Sequence, residues 1–153
     1  MTEKAKKGNS IQGKVRARRS AVQALYQWAM AENSISEVIR EFEKDRDELN
    51  KADVEYFRAI LKGIEKQQAE LEEKLAPLLD RPLAELDQVE KAILFLGMYE
   101  LLYHLELPWR VVLNESIELA KMFGAEESHK YVNGILDKAA RQIRTVELPD
   151  KAS

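Results

Sequence analysis

The chain has 153 residues, long enough to bury most of its apolar surface in a folded domain without a disulfide or metal staple. It carries 24 Lys and Arg against 27 Asp and Glu, a net charge of −3, and contains no cysteine, which excludes thiol catalysis, disulfides and cysteine-ligated metal sites. The longest apolar run, from Ala92 to Leu105, is interrupted by Glu100 and is too short to span a bilayer. With no apolar signal core at the N-terminus, a cytoplasmic protein is expected.

Reading from the start of the chain, the first feature is a charge imbalance. Lys4, Lys6, Lys7, Lys14, Arg16, Arg18 and Arg19 face a single acid, Glu3, giving a local charge of +6 and leaving −9 on the remainder. A basic leading segment on an acidic body implies an anionic partner for that segment. Residues 1–13 read as a flexible basic arm, for which a solubilising tail is an equal alternative. From about Lys14 to Ala31 the pattern is helical, with Val15, Val22, Leu25 and Ala29 on one stripe and Ala21 and Trp28 beside it. Arg19 and Tyr26, seven residues apart, fall on the same edge of that stripe. Lys14, Arg16 and Arg18 are scattered around the first two turns and are expected to present a broad positive surface. Cations at a helix N-terminus oppose the macrodipole by roughly a few tenths of a kcal/mol each, a cost that an external anion would offset.

Ser34, with Glu37 three residues later, predicts a capping box opening a second helix that offers Val38, Ile39 and Phe42 and ends near Lys44. A third helix is predicted on the seam Val54, Phe57, Leu61, Ile64, Leu71, Leu75 and Leu78, which skips only Gln68 and stops at Pro77 and Pro82. After "LLDRPLAELDQ", a helix from about Asp87 to His104 is apolar nearly all round and belongs in the middle of the fold. Pro108 opens the next helix and Gly124 closes it. The last runs from Glu126 or Ser128 to Ile143 and buries Val132, Ile135, Leu136, Ala139 and Ile143. Its flank carries Glu127, Tyr131 and Lys138. The expectation is an all-α fold of six to seven helices in one domain over residues 14–146, with subdomains of about 14–80 and 81–146 and a flexible tail at 147–153.

The inventory for catalysis is thin. His104 and His129 lack metal-ligand spacing partners, no glycine-rich phosphate loop occurs, and Glu100 reads as a carboxylate held by a buried partner. No catalytic residue, metal or cofactor is expected. An arginine-rich helix with aromatics at its edge points instead to single-stranded RNA, with acidic proteins and anionic lipid as the other anionic partners in view.

Three stretches carry a resemblance: "RRSAVQALYQW", "LDQVEKAILFLGMYEL" and, above all, "LNESIELAKMFGAEESHKYVNGILDKAA". From about Lys14 to Arg144 the chain resembles the NusB family of bacterial transcription antitermination factors. The resemblance implies a fold of two three-helix bundles. It also implies pairing with a small-subunit ribosomal protein, the NusE component, and joint binding of the boxA element of nascent single-stranded RNA, which carries RNA polymerase through terminators, notably in ribosomal RNA operons. By position it implies RNA contacts from Lys14, Arg16, Arg18, Arg19 and Tyr26 of the first helix. In "GAEESHKYVNG" it implies RNA contacts from Glu127, Lys130 and Tyr131, where the family commonly has Asp for Glu127 and Phe for Tyr131. Val15 stands where the family is often basic. Glu90 in "QVEKA" matches the side that meets the ribosomal protein. A similar domain precedes certain ribosomal RNA cytosine methyltransferases; the absence of cysteine favours the free-standing factor. The alternative is a helical protein-interaction module or homodimer without direct RNA contact.

Overall fold

A computed structural model describes the backbone of residues 3–45, 47 and 49–145, and the side chains of that set from residue 11 onward. Its helices are α1 Glu3–Met30, α2 Ile35–Lys44, α3 Val54–Lys66, α4 Gln68–Leu75, α5 Gln88–Tyr103, α6 Trp109–Phe123 and α7 Ser128–Ile143. No strand occurs among the described residues, and no helix among them is long and apolar enough to cross a membrane. The chain divides into two compact units, Met1–Lys66 and Gln67–Ser153, earlier than the boundary near residue 80 read from the sequence.

The first unit is a bundle of α1, α2 and α3. Its core joins Ala17, Ala21, Val22, Ala24 and Leu25 of α1 to Val38, Ile39 and Phe42 of α2 and Phe57, Ile60, Leu61 and Ile64 of α3. Burying each large side chain contributes about 1.5–3 kcal/mol, and the Phe42 and Phe57 rings meet at 5.7 Å in a tilted pair. The buried face of α1 is rotated from the expected stripe. Val15 is only half-buried and Ala29 is exposed, because the alanines at 17, 21 and 24 provide the flat surface on which neighbouring helices sit. α2 opens as its sequence dictates: Ser34 Oγ accepts from the Glu37 N–H and Glu37 Oε1 accepts from the Ser34 N–H, both at 3.1 Å.

α1 starts at Glu3, well before the expected Lys14, so the helix runs through most of the segment read as a flexible arm. Residues 1 and 2 of that arm, and the tail at 147–153, lie outside the described residues. Gly8 is the poorest helix former between Glu3 and Gln12, and no proline there stops the helix from extending. At Gly13 the carbonyl accepts the Asp53 N–H at 2.9 Å, and Asp53 caps α3 by accepting from the Tyr56 N–H at 3.0 Å.

In the second unit α6 and α7 pack on α5 and on each other, with the short α4 also on α5. As its all-round apolarity predicts, α5 is buried from Ala92 to Met98 and again at Glu100 and Leu101. At Gly97 α5 lies close against its neighbours: a Cβ there would stand 2.6 Å from Leu136 Cδ1 and 3.0 Å from Ser116 Oγ. Asp87 caps the start of α5, its Oδ2 accepting from the N–H groups of Val89 and Glu90 at 3.2 Å each. Beyond the other end lies buried Arg144, whose guanidinium donates to the carbonyls of Glu100, Leu101, His104 and Leu107. Arg144 thus ties the last turn of α5 to the segment that follows it; the Glu100 carbonyl also accepts the His104 N–H at 3.0 Å and the His104 carbonyl the Leu107 N–H at 2.9 Å.

Two further expectations are modified. The seam read as one helix is broken at Gln67, whose φ of −102° and ψ of 18° separate α3 from α4 beside the skipped position Gln68. Ile143 is half-buried rather than core.

Candidate nucleic-acid interface

α1 sorts its cations by helical position. Arg16, Arg19, Ser20 and Gln23 stand at spacings of three, four and seven, and with Asp47 and Asn50 they line an open recess of ≈ 330 Å³. Arg16 and Arg19 are exposed, and Tyr26, one turn beyond Gln23, is 42% exposed. An outward strip of two guanidiniums, a carboxamide and an aromatic ring therefore runs along this helix.

Lys14 and Arg18, four residues apart, face another way. The Lys14 ammonium lies 5.2 Å and the Arg18 guanidinium 5.5 Å from the centroid of buried Tyr56. Lys14 keeps part of its surface, whereas Arg18 is only 4% exposed. The expectation that Arg18 joins the outward positive surface is corrected. It precedes Ala21, Val22 and Leu25 by three, four and seven residues, so its stem runs along the buried face and its charge rests on an aromatic ring.

In the second unit the residues around Tyr131 form a tight polar cluster. The Tyr131 hydroxyl donates to Asp80 Oδ1 at 2.9 Å. Arg81 grips the same carboxylate with Nε at 2.8 Å and Nη2 at 3.2 Å, and its guanidinium carbon lies 4.7 Å from the Tyr131 ring centroid. The Arg81 bonds, then the Tyr131 bond, hold the Asp80 carboxyl down at about 2. Burial, followed by the bond to Asp80, pushes the Tyr131 hydroxyl up. One face of the ring is thus covered by a cation and its orientation is fixed through the hydroxyl.

Glu127 adopts the left-handed conformation, φ 77°, as the residue before α7. Outside glycine that region costs about 1–2 kcal/mol and is found at binding sites more often than elsewhere. Its exposed carboxylate accepts from Lys130 Nζ at 3.0 Å, so two of the expected RNA residues form an ion pair on the surface. Gly124 lies just before; its φ of −89° is ordinary, but a Cβ would press within 2.8 Å of the Ala120 carbonyl and 2.9 Å of Ser128 Cβ. Glycine here serves closeness rather than a left-handed turn.

Glu90, expected on the partner-protein side, accepts from buried Ser128 at 2.7 Å, and its charge helps raise Arg81 further above its usual value, after the larger effect of Asp80. It therefore belongs to the surroundings of Arg81 and Tyr131. Asp80 and Arg81 escaped the sequence reading because their link to Tyr131 spans 51 positions and follows no periodicity. The only local sign was a charged pair before a proline in "LLDRPLAELDQ". Among the described residues no group of three His, Asp or Glu is placed to hold a metal ion.

Residues 15–141 match the model of the NusB family. The transcription antitermination protein NusB of Shewanella amazonensis is 54% identical over 123 residues, covering 80% of this chain and 91% of that protein. Its counterpart in Marinomonas sp. is 47% identical over 146 residues, 95% of this chain and 84% of that protein. Among solved structures, T. maritima NusB superposes with a TM-score of 0.76 at 28% identity, covering 88% of this chain and 96% of that one. A chain from the crystal structure of NusB and NusE in complex with dsRNA gives 0.78 at 24% identity, over 86% and 98% of the two chains, a likeness of fold.

Proposed function

This chain belongs to the NusB family, and on that premise we propose that it is a non-enzymatic, cytoplasmic RNA-binding adaptor in transcription antitermination. It acts with the ribosomal protein NusE on boxA-type single-stranded nascent RNA and promotes read-through by RNA polymerase, notably of ribosomal RNA operons. The observation that carries the reading is the outward strip of Arg16, Arg19 and Tyr26 on α1 of an otherwise acidic protein. Guanidiniums that face solvent are suited to phosphates, and an exposed ring beside them is suited to a base.

Roles then follow by residue. Arg16 and Arg19 neutralise phosphates and Lys14 adds to the positive field, while Arg18 supports α1 from within. Tyr26 and Tyr131 offer aromatic surfaces. Glu127 and Lys130, paired in the free protein, exchange that weak surface contact for contacts with the RNA, since exposed ion pairs contribute only about 0–1 kcal/mol. Glu90 lies toward NusE.

The test is binding of a labelled boxA-like RNA to the full chain, alone and with NusE, against a shuffled single strand and a duplex of the same length. The expected result is tightest binding of the boxA-like strand with NusE present. Equal affinity for all three RNAs overturns the boxA-type reading, and no affinity for any overturns it in favour of a protein-interaction module.

A further inference from the structure

We propose that Arg81 is an additional RNA-binding residue that takes a phosphate, and that Asp80 and Tyr131 are positioning residues which hold its guanidinium for that purpose. The inference rests on the RNA-binding reading above and extends it to a residue outside both segments that carried the resemblance to RNA contacts.

A guanidinium has five N–H donors in a plane. Asp80 engages one on Nε and one on Nη2, and the guanidinium carbon lies over the Tyr131 ring, 4.7 Å from its centroid. The other three donors have no described partner, and the Arg81 side chain is 43% exposed. Arg81 lies between two short 3-10 turns, at 76–78 and 83–85, where no regular helix restrains it. A long exposed arginine normally loses much rotamer freedom when it binds an anion. Here that loss has largely occurred before any ligand arrives, because the carboxylate and the ring already fix the fork. Asp80 is in turn held by Tyr131, so the three side chains act as one unit. Nearby Glu90 does not compete for the outward donors, since its described bond is to Ser128.

The arrangement makes Asp80 the informative position. If the cluster were only a set of surface charges, removing a carboxylate beside an RNA site would tighten binding by reducing repulsion. If Asp80 aims Arg81, the same change weakens binding. The experiment measures affinity for a boxA-like single strand over a range of salt, with the full chain and its Arg81→Ala, Asp80→Asn, Tyr131→Phe and Asp80→Asn/Tyr131→Phe variants. Lys121→Ala serves as an exposed-cation control. Arg81→Ala should weaken binding and lower the slope of log K against log salt by about 0.7, the value of one phosphate contact to a single strand. Asp80→Asn should weaken it about two- to tenfold, the worth of one lost hydrogen bond. Tyr131→Phe should do the same to a smaller extent, and the double variant should be no worse than Asp80→Asn, as expected for residues in one network.

Tighter binding by Asp80→Asn, or an Arg81→Ala variant with wild-type affinity and slope, overturns the proposal. So does a loss on Arg81→Ala that appears with one RNA sequence only at unchanged slope, which would make Arg81 a base reader. An Arg16→Ala/Arg19→Ala variant that binds like wild type would instead overturn the reading on which the proposal rests, and the two failures are thereby told apart.

Discussion

Arg18 and Arg16 are the same residue type two positions apart, yet one is buried against Tyr56 and the other faces solvent. Residue type alone placed both in one positive surface, whereas the spacing to Ala21, Val22 and Leu25 already contained the distinction. Arginine can satisfy an apolar face with its stem and a ring with its charge, so the inward position is not excluded by chemistry. Tyr131 is the opposite case: its place on the flank of the last helix was legible, while its anchoring by Asp80 and Arg81 depends on chain folding across 51 positions. Replacing Tyr131 by Ala should cost about 1–3 kcal/mol of RNA affinity, checked by titration with labelled RNA. Asp80 provides a pH prediction. Its carboxyl is lowered from 3.8 to about 2, so its contribution to stability is present above pH 4 and lost as pH falls through 2. Thermal melts of wild type and Asp80→Asn should therefore differ at pH 7 and converge near pH 2; a gap that persists at pH 2 would contradict this origin.

At the scale of elements, the helices were readable because their apolar positions repeat at 3.6 residues and their ends carry recognisable caps. Ser34 and Glu37 form the capping box their spacing implies, and α5 is buried all round as its composition requires. The break between α3 and α4 was hidden, since the apolar seam continues in register across it and only polar Gln67 and Gln68 mark the place. The αL conformation of Glu127 was equally hidden, because glycine or asparagine is the usual signal there and neither is present. Close packing at Gly97 gives an element-level prediction. Leu136 is fully buried and its Cδ1 would have to be displaced within the core, so Gly97→Ala should lower stability by about 1–3 kcal/mol in a denaturant titration. An unchanged midpoint would mean that α5, α6 and α7 do not meet as closely as described.

At the scale of the whole molecule, the charge layout is the property on which the proposed RNA binding rests. Seven cations in the first nineteen residues oppose an acidic remainder, and within the described part Arg16 and Arg19 are the arginines of α1 that face outward. Set in the middle of α1, they form no described bond with the protein's own carboxylates, which leaves them free for the RNA phosphates proposed above. That is the central claim, and the salt dependence of RNA binding tests it most directly. With two phosphate contacts removed, the Arg16→Ala/Arg19→Ala variant should show a slope of log K against log salt shallower than wild type by about 1.4, at ~0.7 per contact. Parallel lines for the two proteins would contradict the account.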